Sequence, residues 1–299
     1  MRDRFSHYTM AAICLTFVVV SVVGMRITRL YFDPHQLAWR AALLGVMVGL
    51  LFGVAAYAGR RGAESLKNLA IILAWTFVIG EVHVIPMFAI VRTGVPLRDD
   101  LLARADRAIG ADVPAVMEWM GRHPGLRVTS GFCYGSLYAL CLLPSIIPPL
   151  LGDAASARRF IVACVTFAVI SYPIMASFQA VGPWAYYGYR PQINQDGYMA
   201  MFAELRTSHD VLLDFEYRSG LICFLSFHTA IAVLSAAALW STPYLRWVAA
   251  TWAALIAVST VTTGSHYVVD VVAALALCLA AQWVAQGYGV VEARITSPS

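Results

Sequence analysis

Apolar runs long enough to cross a lipid bilayer recur along nearly all of this chain, and that recurrence sets its fold class before any motif is read. A hydrocarbon core of about 30 Å takes roughly 20 helical residues, and inside it backbone groups must be satisfied within helices or closed barrels. Eight runs stand at 8–24, 37–58, 69–91, 126–150, 160–181, 221–240, 245–263 and 267–284. With 60% of the residues hydrophobic and 13% charged, the expectation is an all-α, polytopic integral membrane helical bundle of about eight transmembrane helices. The first run follows MRDRFSHY in the manner of a signal peptide. MRITRLYF stands after it in place of a small-residue cleavage site, so it reads as a helix.

Short loops rich in Lys and Arg stay on the cytoplasmic side. Residues 59–68, 157–159 and 243–246 are basic and alternate as eight spans with both termini inside require. The extracytoplasmic side then receives the mixed connection 92–125, the acidic one 182–220 and the stretch GSHYVVD at 264–270. The setting expected is a multi-pass inner or plasma membrane of bacterial type. The net charge of +4 is thereby an orientation signal, and no basic stripe with interleaved aromatics supports nucleic-acid binding. Residues 96–120 are too charged to span, yet Leu101, Leu102, Ala105, Ile109 and Val113 recur at helical spacing and predict a helix on the outer membrane face. The six cysteines, Cys14, Cys133, Cys141, Cys164, Cys223 and Cys278, lack C-x-x-C spacing and read as buried thiols. Glu81 and His83 lie on different helix faces ahead of Pro86; lining a cavity and forming a packed polar contact are both open to them. Trp184, Tyr186 and Tyr187 read as an interfacial aromatic belt, and His209, Asp210, Asp214 and Glu216 as a solvated acidic loop.

An ionisable pair lodged between apolar runs needs a reason. In GSHYVVD a helix beginning near Gly264 sets His266 and Asp270 one turn apart on one face, so the carboxylate holds one imidazole nitrogen and leaves the other aimed outward. That is the geometry of an oriented nucleophile or base. In FLSFHTA, at 224–230, Ser226 and His228 reach the same membrane depth. One histidine can then attack while the other protonates a leaving group, with Ser226 and helix-start N–H groups holding an anion. The same atoms admit a structural hydrogen-bonded pair, a metal site of His228, His266 and Asp270, or haem ligation by the two histidines.

The pattern S-x-x-x-x-G-x-H-x-x-x-D-V, met by Ser259, Gly264, His266, Asp270 and Val271, and the pattern S-x-H, met by Ser226 and His228, resemble those of the type-2 phosphatidic acid phosphatase superfamily. GLICFLSFHTA from Gly220, ADRAIGAD at 105–112 and AVGPWAYYGYRP at 180–191 resemble its inositol phosphorylceramide synthase-like branch, whose first motif reads G-L-x-x-F-P-S-x-H-T-A. The resemblance implies a six-helix lipid phosphatase-like core over 69–290 with an outer interfacial helix near 97–120. Residues 1–68 are then two additional transmembrane helices and 291–299 a cytoplasmic tail. It further implies that His266 attacks phosphorus to form a phosphohistidine, that Asp270 orients it, and that His228 protonates the departing oxygen, with no metal or other cofactor. Ser226, Gly264 and Tyr267 are implied beside the phosphate, with Arg190 and Arg218 on the active face. The partners implied are a phospholipid or lipid phosphate and an acceptor hydroxyl or water.

The chain departs from the superfamily pattern at three places. Thr260 stands where its phosphatases carry an arginine, Pro183 where they carry a lysine upstream of the R-P pair, and Leu225 where the branch has a proline. A monoester phosphate carries nearly two negative charges at neutral pH and a diester one, so a site short of two cations is better matched to a diester. The expectation is transfer of a phosphodiester headgroup to an acceptor hydroxyl. Attack by water, as in a lipid phosphate phosphatase or phospholipase C-type hydrolase, is the alternative within the same class. A lipid transporter or silent scaffold is the alternative outside it, and no inverted repeat or pair of broken helices supports it.

Overall fold

The protein is an all-α membrane bundle, seen in a computed structural model that describes residues 2–190, 193, 195–213 and 223–296. It opens with α1 (Arg2–Thr28), the short strand β1 (Leu30–Phe32) and α2 (Pro34–Arg60). Asp33 caps α2 by accepting from the His35 and Gln36 N–H groups, with Pro34 in the first turn. Next come α3 (Glu64–Val82) and α4 (Ile85–Arg92), one span interrupted at residues 83–84, with Pro86 opening its second part. His83 turns back on its own helix there, Nδ1 2.9 Å from the Gly80 carbonyl. Its own carbonyl accepts the Tyr172 hydroxyl at 2.5 Å.

The connection 92–125 holds α5 (Asp99–Ala108) and α6 (Val113–Gly121) rather than the single helix expected. Gly110, at φ +79, ends the first, and Asp112 caps the second by accepting from Ala115 N–H. The bundle then continues through α7 (Pro124–Gly135), α8 (Leu137–Leu150) and α9 (Ala154–Ser177). The acidic connection is partly helical, with α10 (Pro183–Tyr186), α11 (Gln195–Thr207) and the strand β2 (Val211–Leu213), which pairs parallel with β1. Arg92 fans out to the carbonyls of Thr28, Leu205, Ser208 and His209, so the N-terminal pair is stitched to this connection. Asp214, Glu216 and Arg218 lie outside the described residues.

Last come α12 (Phe227–Ala238), α13 (Leu245–Thr262) and α14 (Val268–Thr296). Seven segments among the described residues are long and apolar enough to cross a membrane. The eighth expected span, 221–240, is instead the 12-residue α12, because Ser226 caps a helix that begins only at Phe227. The core lies where α9 packs against α14, α8 and α12, around Phe167, Leu234 and the alanines 163, 274 and 281. Such small residues let helix backbones approach closely in lipid. At the opposite end of the bundle from α5, Arg158 Nε stands 2.6 Å from Glu292 Oε1, a buried pair tying α9 to α14. Arg158, expected in a basic loop, is thus a helical residue neutralised by a partner. The stretch 291–296, expected as tail, continues α14.

Candidate active site

The loop between α13 and α14 carries the GSHYVVD motif, and its shape follows from one glycine. Gly264 sits at φ +74, a left-handed turn that other residues adopt only at a cost. Its carbonyl accepts the Trp184 N–H at 3.0 Å. A Cβ there would stand 2.3 Å from Met117 Cε and 3.0 Å from Trp184 Cβ, so the turn is pressed between α6 and α10. His266 N–H donates to the Thr260 carbonyl at 3.0 Å. The helix starts at Val268, not near Gly264, so His266 precedes α14 and Asp270 falls in its first turn.

Asp270 is fully buried and His266 nearly so. The carboxylate Oδ2 accepts from Cys223 Sγ at 2.8 Å and from Tyr267 N–H at 2.9 Å, and lies 3.5 Å from His266 Nδ1. Cys223 Sγ is in turn 3.6 Å from His266 Nδ1. The expected pair is therefore a cluster of three, with a thiol sharing the carboxylate oxygen that faces the imidazole. The second oxygen, Oδ1, is buried with no hydrogen-bond donor among the described residues.

The connecting helix α5 holds this cluster in place through two carboxylates that the apolar spacing did not single out. Its buried face is Asp99, Leu102, Ala103 and Asp106, while Leu101 and Ile109 are exposed. Asp106 accepts from Val268 N–H at 3.0 Å and Val269 N–H at 2.9 Å, capping α14 from a distant element. Asp99 accepts from the N–H groups of Val181 and Gly182 and from the Tyr267 hydroxyl at 3.0 Å. Burial raises both carboxyls above the ordinary aspartate value, and the N–H donors to each offset part of that rise.

His266 opens onto a cavity of about 260 Å³ whose lining also includes His228, Cys223, Ser265, Tyr134 and Gln195. The His228 and His266 ring centroids are 6.4 Å apart. Tyr134 stacks on His228 with centroids 3.9 Å apart and fixes that ring's plane. Gln195 Nε2 donates to Ser265 Oγ at 3.2 Å, tying α11 to the histidine loop. Among the described residues, no Lys or Arg lines this cavity.

A sequence profile of the PAP2 superfamily matches residues 100–284, well over half of the chain, and takes in both histidine motifs and most of α5. The chain belongs to the PAP2 superfamily. No curated protein and no solved structure matches it. Membership makes it a membrane-embedded enzyme of the phosphatase or phosphotransferase type, acting on phosphate esters.

Within this PAP2 chain the residues expected around a phosphate separate into two sets. His228 and His266 face one cavity, with Asp270 behind His266. Ser226 is fully buried, and its Oγ is engaged as the N-cap of α12, 3.3 Å from Thr229 N and 3.0 Å from Thr229 Oγ1. Gly264 and Tyr267 also stand behind the cavity wall, one shaping the turn and the other anchored on Asp99. Arg190 is exposed and does not line the cavity; Arg218 is outside the described residues. Thr260 and Pro183, in the places of the absent cations, are both buried. Trp184, expected in an interfacial belt, is buried and lines the cavity, whereas Glu81 and His83 do not line it.

Proposed function

We propose that this enzyme moves a phosphodiester headgroup from one lipid to an acceptor hydroxyl at the extracytoplasmic face, through a covalent phosphohistidine, in the manner of an inositol phosphorylceramide synthase. The observation that carries this reading is the pair of imidazoles facing one cavity, 6.4 Å apart between centroids, with a carboxylate behind one of them. That spacing leaves room for a single phosphoryl group between the rings. His266, oriented from its Nδ1 side by Asp270, attacks phosphorus through Nε2. The N–P bond forms as the P–O bond to a diacylglycerol-like leaving group breaks, and His228 gives that oxygen its proton. In the second half His228 takes the proton of the acceptor hydroxyl, whose oxygen attacks phosphorus and releases His266.

The cavity's lack of Lys and Arg among the described residues supports a monoanionic diester over a dianionic monoester. Two imidazoles and the N–H groups at the start of α12 share the single charge. The outward placement rests on the basic connections 59–68 and 243–246. In this scheme α3 to α14 form the catalytic core, and α1 and α2 are an added pair. Water in place of the acceptor makes the same site a lipid phosphate phosphatase or phospholipase C-type hydrolase, a reading that superfamily membership supports as well.

The test follows phosphorus and glycerolipid products when the purified protein meets mixed labelled phospholipids and lipid phosphates, beside His266→Ala and His228→Ala. The expected result is a new phosphodiester lipid that neither variant makes. Free phosphate lost with His266→Ala would assign hydrolysis instead. Turnover that survives His266→Ala, or none by the unaltered protein, would refute the histidine mechanism.

A further inference from the structure

Cys223 contributes to the site an atom that phosphoryl transfer does not use. Its Sγ, His266 Nδ1 and Asp270 Oδ2 form a triangle with edges of 3.6, 3.5 and 2.8 Å, and all three residues are buried. A tetrahedral zinc ion, with bonds of about 2.3 Å to sulfur and about 2.1 Å to nitrogen and oxygen, sets its ligand atoms about 3.6 Å apart for S and N, 3.4 Å for N and O, and 3.6 Å for S and O. Two of the three edges already match. The third is short because the thiol proton draws sulfur onto the carboxylate, and that proton is the one a metal displaces.

Two further observations point to a cation. Asp270 Oδ1 is buried with no donor among the described residues, so within them the carboxylate keeps a second oxygen for a positive partner. Cys223 and His266 also line the cavity, which supplies a route for an ion and a fourth, open position for water. The donor set is one thiol, one imidazole and one carboxylate; it favours zinc, cobalt or cadmium over magnesium or calcium, which prefer oxygen alone.

We propose that Cys223, His266 and Asp270 form an inhibitory site for a thiophilic divalent cation, with Zn²⁺ as its representative. On binding, the thiol releases its proton to solvent and an S–Zn bond forms. Zinc takes the Nδ1 lone pair, so the neutral imidazole carries its proton on Nε2. That proton occupies the lone pair which would attack phosphorus, and the oriented nucleophile becomes a metal ligand. The inhibition rests on the reading of His266 as nucleophile; the binding does not.

The full-length protein in detergent is titrated with Co²⁺ and read by the thiolate-to-cobalt absorption band in the near ultraviolet. One saturable band is expected, displaced by Zn²⁺ and unaffected by Mg²⁺. It disappears in Cys223→Ala and in Asp270→Asn, and persists when the other five cysteines are all alanine, a control that holds even if Cys223→Ala folds poorly. A wild-type protein without the band, a band that survives Cys223→Ala, or one lost when only Cys223 remains would overturn the site. Lipid turnover is measured in parallel: Zn²⁺ lowers it at least tenfold and a chelator restores it. A cobalt band in a protein with no phosphate-ester turnover would leave the metal site standing and refute the reaction instead, whereas a metal-loaded enzyme at full rate would refute the inhibition.

Discussion

Asp106→Ala tests whether α5 holds the geometry of the site. The carboxylate is 2% exposed and accepts the first two N–H groups of α14, from Val268 and Val269. Removing the acceptor leaves two helix-start donors unpaired, at about 1–2 kcal/mol each, a total of about 2–4 kcal/mol. With 1.4 kcal/mol for each factor of ten, the first turn of α14 then opens about 30- to 700-fold more often. Hydrogen–deuterium exchange over residues 264–275 reads that change where it occurs. Asp106→Asn keeps one acceptor oxygen and should show roughly half the free-energy effect. Activity should follow, because Asp270 lies in the turn that loosens and His266 two residues before it. Misplacement by about 1 Å costs on the order of a hundredfold in rate, so kcat should fall about 10- to 100-fold with KM little altered. Exchange at residues 264–275 within twofold of wild type, together with an unchanged kcat, would refute the idea that α5 holds the site.

Gly264→Ala combines a left-handed backbone, costing about 1–2 kcal/mol, with overlap on Met117 and Trp184. The Met117 thioether can swing aside, but Trp184 Cβ cannot, which adds about 1–3 kcal/mol of overpacking. Thermal unfolding in detergent should show the loss, and Met117→Ala should relieve part of it; an alanine variant as stable as wild type would contradict the packing argument. Asp99 provides a pH test with a definite sign. Its folded value is raised by burial, so it favours the folded state fully below the unfolded value near 3.9 and loses that contribution as pH rises through the folded value. Asp99→Asn should remove that component from the acid-range dependence of Tm, and an unaltered slope would show that the carboxyl does not titrate in this window.

The transmembrane architecture was legible because an apolar run of about 20 residues has few solutions in lipid. The run at 221–240 misled by counting through residues 223–226, although Ser226 was a visible N-cap residue ahead of Phe227. The nearness of His266 and Asp270 was suggested by their four-residue spacing, but the reason differs: His266 lies in the loop before α14, and the turn at Gly264 rather than a shared helix face brings it to Asp270. Cys223 was not legible: a cysteine in an apolar run reads as a small buried hydrophobe, and only the packing of residue 223 against α14 turns it into a donor to Asp270. Tyr134, more than ninety positions from His228, left no local signal at all. The clearest lesson lies in α5, where the apolar spacing predicted a helix against the membrane and gave no sign of its carboxylates. The chain buries Asp99 and Asp106, seven positions apart on one side. A carboxylate can enter a protein interior when backbone N–H groups take the place of water, and the donors at residues 181–182 and 268–269 do so. Those donors are free because they open a turn and a helix, where no intrahelical acceptor exists. Residues at the start of one element therefore decide which face of another is buried, and a window sliding along the sequence cannot see both.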